Sequence, residues 1–392
     1  MEIGYLHFDV SQDWESGPCR YGRLLASAVR SSPGQTIKEA KIVCGQKKTA
    51  RRASLKKAVS LFEKVKIIHI NYGWQLYNLG VFFNLDLAWF LVQLRVPLVV
   101  SVHDGAMIAN SSRWLQVLEQ WRTIVKSEKT ALRPKLQECV RFFIAAISRR
   151  LFLFFLSWRG RAFIVCTTQE ADSLGSIFPR KKIQIIPHFI EQLKKLPPAE
   201  AARKKLKLEG FQIVTVLGFV FARKGHLIAL EALSRLPPSI VLLFGGGAPA
   251  GGEDYLCEIM RTAKNLGVAG RVILTGHLKD EEQNTCLAAT HLALCPFSSL
   301  SASGTLSTWL AADKPILATD LPQIQNYNKI APGAIKVFSP YTGEALAAAI
   351  LDTLLSPDQG KGPRQALRQQ RSFSIIAEKH MALYTRVADK VG

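Results

Sequence analysis

The chain of 392 residues lacks several features that would settle its class at once. Its seven cysteines (Cys19, Cys44, Cys139, Cys166, Cys257, Cys286 and Cys295) form no CxxC pair. That spacing supports neither a zinc site nor a disulfide framework. Several cysteines sit in apolar, strand-like runs such as IVCTT and LALCPF, so they read as reduced, buried thiols of a cytosolic protein. The eight histidines show no HExxH or other ligand spacing, and no structural metal is expected. No apolar run reaches the roughly 18–20 residues a membrane span needs. The longest, 151–156 and 79–94, are too short or carry Asp86, which excludes an integral membrane protein. The opening MEIGYLHFDV alternates into a strand, with no basic stretch ahead of an apolar run, so it does not read as a signal peptide.

Acidic residues are scarce in one half only. Up to residue 208 there are 34 Lys and Arg against 15 Asp and Glu, a net of +19; the remainder holds 17 against 15, a net of +2. Residues 38–66 alone carry ten basic side chains against two acids. A one-sided field of this size attracts an anionic partner: a membrane surface, a nucleic acid or a phosphorylated substrate. A merely basic, solvated surface is the plain alternative.

What is present reads as α/β. With 48% hydrophobic and 21% charged residues the chain is globular, and its length suits two domains. Short, near-continuous apolar runs predict buried parallel strands at 3–10, 37–44, 66–72, 97–103, 162–168 and 183–189. The pattern restarts after Pro197-Pro198, with strands at 213–218, 239–244, 271–275, 291–296, 315–319 and 335–338 and helical patterns between them. The expected architecture is two Rossmann-like, doubly wound domains facing a cleft: 1–195, 196–372, and a closing helix within 373–392 that packs back on the first domain.

Ligands of doubly wound sheets sit beyond the carboxyl ends of the strands. After the first strand, Glu15-Ser16-Gly17-Pro18 leads into a helix whose backbone N–H groups could face a phosphate or a sugar oxygen; ordinary turn chemistry explains it as well. The fourth strand ends at His103-Asp104, a pair able to hydrogen-bond a sugar hydroxyl or simply to cap a turn. The second half opens with LGFVFARKGH, which places Arg223 and Lys224 at a strand end just before a helix. Cations oppose the helix dipole there unless an anion is bound, so the pair suits a diphosphate leaving group. Farther on, Ser303-Gly304-Thr305 opens another helix as a second anion cradle, or as a plain serine cap.

These residues resemble the retaining, GT-B-fold glycosyltransferases of family 4. The likeness runs in order through GPCRYGRLLASAV, VSVHDG, IQIIPHFIE, LGFVFARKGH, IVLLFGGGAP, RVILTGHLKDEE and SASGTLSTWLAADKPILATDLP. It implies metal-independent transfer of a sugar from a nucleotide-diphosphate donor, with no cofactor. The first domain would bind a glycan or lipid-linked acceptor and the second the donor. Gly17, His103 and Asp104 would lie near the sugar and Arg223 and Lys224 on the diphosphate. Gly246 and His277 would lie near the nucleoside. Phe219 stands where the family has an arginine, so Arg223 takes its place. The family's Glu-x7-Glu pair falls on Leu300 and Thr308, leaving Thr308 as the substrate-binding candidate and the donor's identity open. With the basic first domain and the amphipathic stretch 141–161, the chain is expected in the cytoplasm, peripheral on an anionic membrane, with no nucleic-acid partner. A core helix with a basic outer face explains 141–161 equally. The alternative function is a catalytically inactive GT-B protein acting as a partner subunit.

Overall fold

The computed structural model of the protein describes residues 1–9, 16–73, 81–105, 108–109, 132–193, 195–249, 252–299 and 303–390, with backbone alone at 132–139 and 142. They form two compact units, Met1–Pro187 with Phe373–Gly392, and His188–Ser372.

The first unit is built on β1 (Glu2–Asp9), β2 (Thr36–Val43), β3 (Ile67–Gly73), β4 (Leu98–His103), β5 (Gly160–Val165) and β6 (Ile183–Ile185). All pair parallel in the order β2-β1-β3-β4-β5-β6. β3 is buried along its whole length, as expected where helices cover both faces of a parallel sheet. The helices are α1 (Gly17–Arg30), α2 (Lys48–Leu61), α3 (Val81–Gln93), α4 (Leu132–Arg159) and α5 (Thr168–Leu174). α2 lies in the basic run, where the sequence offered no helix signal, because only Arg51, Leu55 and Ala58 of its residues are buried.

The second unit starts upstream of the expected boundary at 195. The strand expected at 183–189 ends at Ile185, since Pro187 has no N–H for a ladder. Ile190 instead donates its N–H to the carbonyl of Arg371 (2.8 Å) and packs in the second core. The elements are α6 (Ala199–Leu206), β7 (Gln212–Leu217), α7 (His226–Leu233), β8 (Ile240–Gly245), α8 (Glu253–Asn265), β9 (Val272–Leu274), α9 (Asp280–Ala289), β10 (Leu292–Cys295), α10 (Gly304–Ala312), β11 (Ile316–Thr319), α11 (Pro322–Ile330), β12 (Lys336–Phe338), α12 (Gly343–Leu355) and α13 (Lys361–Gln370). The strands run parallel in the order β12-β11-β10-β7-β8-β9, the doubly wound arrangement with its first strand central.

The closing helix, α14 (Phe373–Asp389), returns to the first unit and packs on α1 and β3. Its seam there is polar. The Tyr384 hydroxyl lies 2.8 Å from that of Tyr5 and also bonds to Nδ1 of His69. Nε2 of His69 is 2.8 Å from Ser101 Oγ. His380 stacks on His69 at 5.8 Å and donates from Nδ1 to the Ile376 carbonyl. Burial, then the neighbouring His380, hold His69 well below the usual histidine range; burial takes His380 to about 4.

Both rings are therefore neutral when folded, whereas an unfolded histidine titrates near 6.5. Between about pH 6.5 and 4 the unfolded chain binds the extra protons, so stability must fall as pH drops through that window. A melting series from pH 7 to 4.5 is expected to show this loss, and His380→Gln to reduce it; an unchanged slope in that variant would remove His380 from the account.

Candidate functional site

In the second sheet the chain goes outward from β7 through β8 and β9, then returns to lay β10 on the other side of β7. The carboxyl ends of β7 and β10 thus flank the point where strand order reverses, the place where such sheets bind ligands.

Lys224 ties those two ends together. Its Nζ donates to the Leu217 carbonyl at the end of β7 (2.6 Å) and to Thr305 Oγ1 on the first turn of α10 (2.9 Å). Only 9% of the residue is exposed. An ammonium has three N–H donors, so these two acceptors leave one for a ligand. Burial, reinforced by the Arg223 charge, lowers the Lys224 pKa to about 7.

Two glycines permit this geometry. Gly218 has φ +95, and a Cβ there would lie 2.5 Å from Nζ of Lys224. Gly225 has φ +75, and a Cβ there would fall 1.9 Å from the Pro296 carbonyl oxygen. That carbonyl also accepts from the Tyr341 hydroxyl (3.0 Å), while Ser298 N–H donates to the Arg223 carbonyl (2.9 Å). The loops after β7 and β10 are thereby stitched side by side. Arg223 is half-buried in a 3₁₀ turn, Ala222–Lys224, with its guanidinium 5.7 Å from the Phe221 ring.

At the start of α10, Ser303 Oγ accepts from the Leu306 N–H (3.2 Å) and caps the helix. A Cβ on Gly304 would meet nothing within 4 Å, so the first backbone amides of α10 are approachable. Thr308 is buried and donates its hydroxyl to the Gly304 carbonyl (3.0 Å); toward a ligand it can only accept. Leu300 lies outside the described residues.

The nucleoside-side candidates come from β8 and β9. Gly246 donates its N–H to Thr275 Oγ1 (3.0 Å), and a Cβ on it would lie 2.3 Å from the Gly218 carbonyl oxygen. The exposed His277 lays its ring against Gly247, whose Cβ would sit 2.8 Å from it, and meets Phe219 edge-on at 5.6 Å. Arg223, Lys224, Ser303, Gly304, Thr305 and Thr308 thus gather at the β7–β10 junction, with Gly246 and His277 on the β8 side.

The other candidates belong to the first unit. Gly17 opens α1, with open space where its Cβ would be. His103 ends β4; its Nε2 donates to Asn71 Oδ1 (3.3 Å), and its ring meets Tyr21 at 5.0 Å. Asp104 takes a left-handed conformation, φ +57. Sequence reasoning missed its neighbour Glu170, a buried carboxylate that accepts from Cys166 N–H and the Thr167 hydroxyl; burial, opposed by those bonds and aided by the Asp104 charge, raises it to about 7. Tyr341 and Gly218 were missed as well. A Ser-Pro-Tyr after the last strand carries no motif, while Gly218 stood in plain view within LGFVF.

Residues 210–356 match the family of glycosyl transferases group 1. The second unit carries a glycosyltransferase domain. None of the curated proteins matches the chain. Among solved structures, Anabaena Alr3699/HepE in complex with UDP and glucose superposes with a TM-score of 0.68 at 14% identity, over 98% of this chain and 100% of that one. Sucrose-phosphate synthase from Thermosynechococcus elongatus gives 0.69 at 16% over 98% of each, and WaaG, a glycosyltransferase involved in lipopolysaccharide biosynthesis, 0.60 at 16% over 98% and 100%. The two parallel six-stranded sheets with flanking helices are the GT-B glycosyltransferase fold.

Gly225→Ala is expected to destabilise the second unit by about 3 kcal/mol, from left-handed strain together with the contact on Pro296. For a unit of this size that is a fall of roughly 6–12 °C in melting temperature. A loss under 2 °C by calorimetry would mean that the two loops are not stitched as described.

Proposed function

We propose that the chain transfers a sugar from a nucleoside-diphosphate donor to a glycan or lipid-linked acceptor, as a retaining glycosyltransferase of family 4. The observation that carries this is the Lys224 ammonium, buried at the β7–β10 switch point with one donor left over. Arg223 on the same turn and the capped N-terminus of α10 add positive charge at the same strand ends. Together they suit a diphosphate, whose charge grows as the bond from sugar C1 to the β-phosphate oxygen breaks. The nucleoside diphosphate leaves with that electron pair. The acceptor oxygen joins C1 on the same face, and its proton passes to the departing phosphate. Positive charge from these groups is what a metal-independent transfer requires, and no cofactor is invoked. Retention rests on the resemblance to family 4, as does the placing of His103, Asp104 and Gly17 beside the sugar. UDP bound in the Anabaena structure favours a uridine donor, with Gly246 and His277 flanking the nucleoside. The basic first unit suits a lipid-linked acceptor presented on an anionic, cytoplasmic membrane surface, with the chain peripheral to it, and no nucleic acid is involved.

A thermal-shift panel of UDP, GDP, ADP and CMP tests the donor site. A ligand at 100 times its dissociation constant adds roughly 2.7 kcal/mol. One diphosphate should raise the melting temperature of the wild type and not that of Lys224→Ala. No shift with any of them would leave the inactive partner-subunit reading.

The same lysine predicts a pH dependence. Its pKa near 7 in the empty site must rise when an anion binds, so binding takes up a proton above pH 7. Affinity for the diphosphate is expected to hold below pH 7 and to fall by up to about tenfold per pH unit above it. Titration calorimetry in two buffers of different ionisation enthalpy reads the proton directly; zero uptake at pH 8 would rule out Lys224 as the titrating contact.

A further inference from the structure

Residues 141–161 were open to two readings from sequence, and burial separates them. α4 carries Val140, Ile144, Ile147, Leu151, Phe154 and Trp158 at alternating spacings of four and three, one straight stripe on a helix. All six are exposed, Phe154 at 65% and Trp158 at 60%. The opposite stripe, Phe152, Leu153 and Leu156, fills the core. α4 is therefore not a core helix with a basic outer face: its outward face is itself apolar.

α3, which packs on α4, does the same. Phe82, Leu85, Trp89 and Val92 share one face at helical spacing and are all exposed, Phe82 at 64%. Isolated exposed apolar side chains are ordinary; ten on two neighbouring helices are not.

The charges around them are predominantly positive. Residues 140–161 contain five arginines and no acid. α2, packed on α3, contains no acid either. It places Lys48, Arg52, Lys56 and Lys57 in solvent, with the Lys48 ammonium 4.4 Å from the centre of the Phe82 ring. The single acid of α3, Asp86, is buried and bound by Arg51 (2.6 Å) and Arg52 (2.6 Å). A second copy of this chain would bring like charge to like charge. An anionic phospholipid surface offers both an apolar interior for the stripes and negative headgroups for the rim. Among the described residues no helix is long and apolar enough to cross a membrane.

We propose that α2, α3 and α4 form one interfacial docking face, which lies flat on an anionic bilayer with Phe82, Trp89, Phe154 and Trp158 in the acyl-headgroup boundary and the basic residues of α2 on the headgroups. It deepens the lipid-linked acceptor reading by naming the surface that would meet the lipid, but its evidence is independent of the donor site.

The test is co-sedimentation of the full chain, without nucleotide, with phosphatidylglycerol–phosphatidylcholine vesicles and with phosphatidylcholine alone. The wild type should bind the anionic vesicles at low salt, lose them at high salt, and bind the neutral ones at least tenfold more weakly. Phe154→Ser with Trp158→Ser should cost tenfold or more in partitioning at unchanged melting temperature. The UDP-induced thermal shift should survive, because neither residue belongs to the donor site; a failed shift in the wild type would count against the donor reading alone. In case that variant does not fold, brominated lipids provide a second readout, since they should quench wild-type tryptophan fluorescence. Wild-type binding in the double variant, or no quenching, overturns the proposal. So does a wild-type dimer without vesicle binding that the substitutions make monomeric, which would make the face an interface between copies.

Discussion

A lysine held under a strand end is the constraint around which the second unit is arranged. The Lys224 ammonium sits where almost no water reaches it, on the carbonyl of Leu217 and the hydroxyl of Thr305. A buried cation costs several kcal/mol unless its partners neutralise it, and a carbonyl and a hydroxyl do so only in part. The lowered pKa expresses that residual cost. Much around it follows. Gly218 must lack a side chain for the ammonium to fit, and Gly225 must turn left-handed for the chain to pass under Pro296. Ser303 must cap α10 so that Thr305 points its hydroxyl from a fixed turn. Such an arrangement is least stable when empty and gains most from an anion.

The first unit solves a different problem with similar means. Its sheet brings Tyr5, His69 and Ser101 onto one face, where His69 and Ser101 pair with each other; α14 supplies Tyr384, whose hydroxyl bonds both Tyr5 and His69. Nearer the carboxyl edge of the same sheet, Gly22 lets α1 approach so closely that a Cβ there would lie 2.3 Å from the Asn71 amide. Asn71 in turn holds His103. The ring at the end of β4 is thus fixed by a glycine on one helix and an amide on the next strand, a chain of contacts from sheet interior to strand end.

Much of this was legible because parallel strands buried on both faces write themselves as unbroken apolar runs, such as IIHINYG and IVLLFG. Where a helix is held by few contacts the sequence is silent: α2 buries three residues, one of them Arg51, whose role is to neutralise Asp86. The domain boundary was misplaced for a similar reason. The connector looks polar and proline-rich at 197–198, yet the backbone already joins the second unit at Ile190, through a hydrogen bond to a residue far along the chain. The cations of the loop after β7 were readable because they break a rule, standing at a helix start. The acceptors that hold Lys224 were only half readable: Thr305 stood in a motif, but a backbone carbonyl leaves no mark in sequence.

Charge and apolar surface must also be taken together. A net of +19 up to residue 208 is compatible with any polyanion. A single-stranded nucleic acid would be met by cations beside aromatic rings; here six of the ten exposed apolar side chains on α3 and α4 are aliphatic and offer no ring to stack on. Those stripes keep a spacing of three and four along α3 and α4 although packing among the described residues does not require it, since the opposite faces already fill the core. A helix stripe that only faced water would be free to drift to polar residues at no cost in packing. In the proposed docking, the bilayer covers the regular stripe and the acid-free stretch 140–161 meets its anionic headgroups.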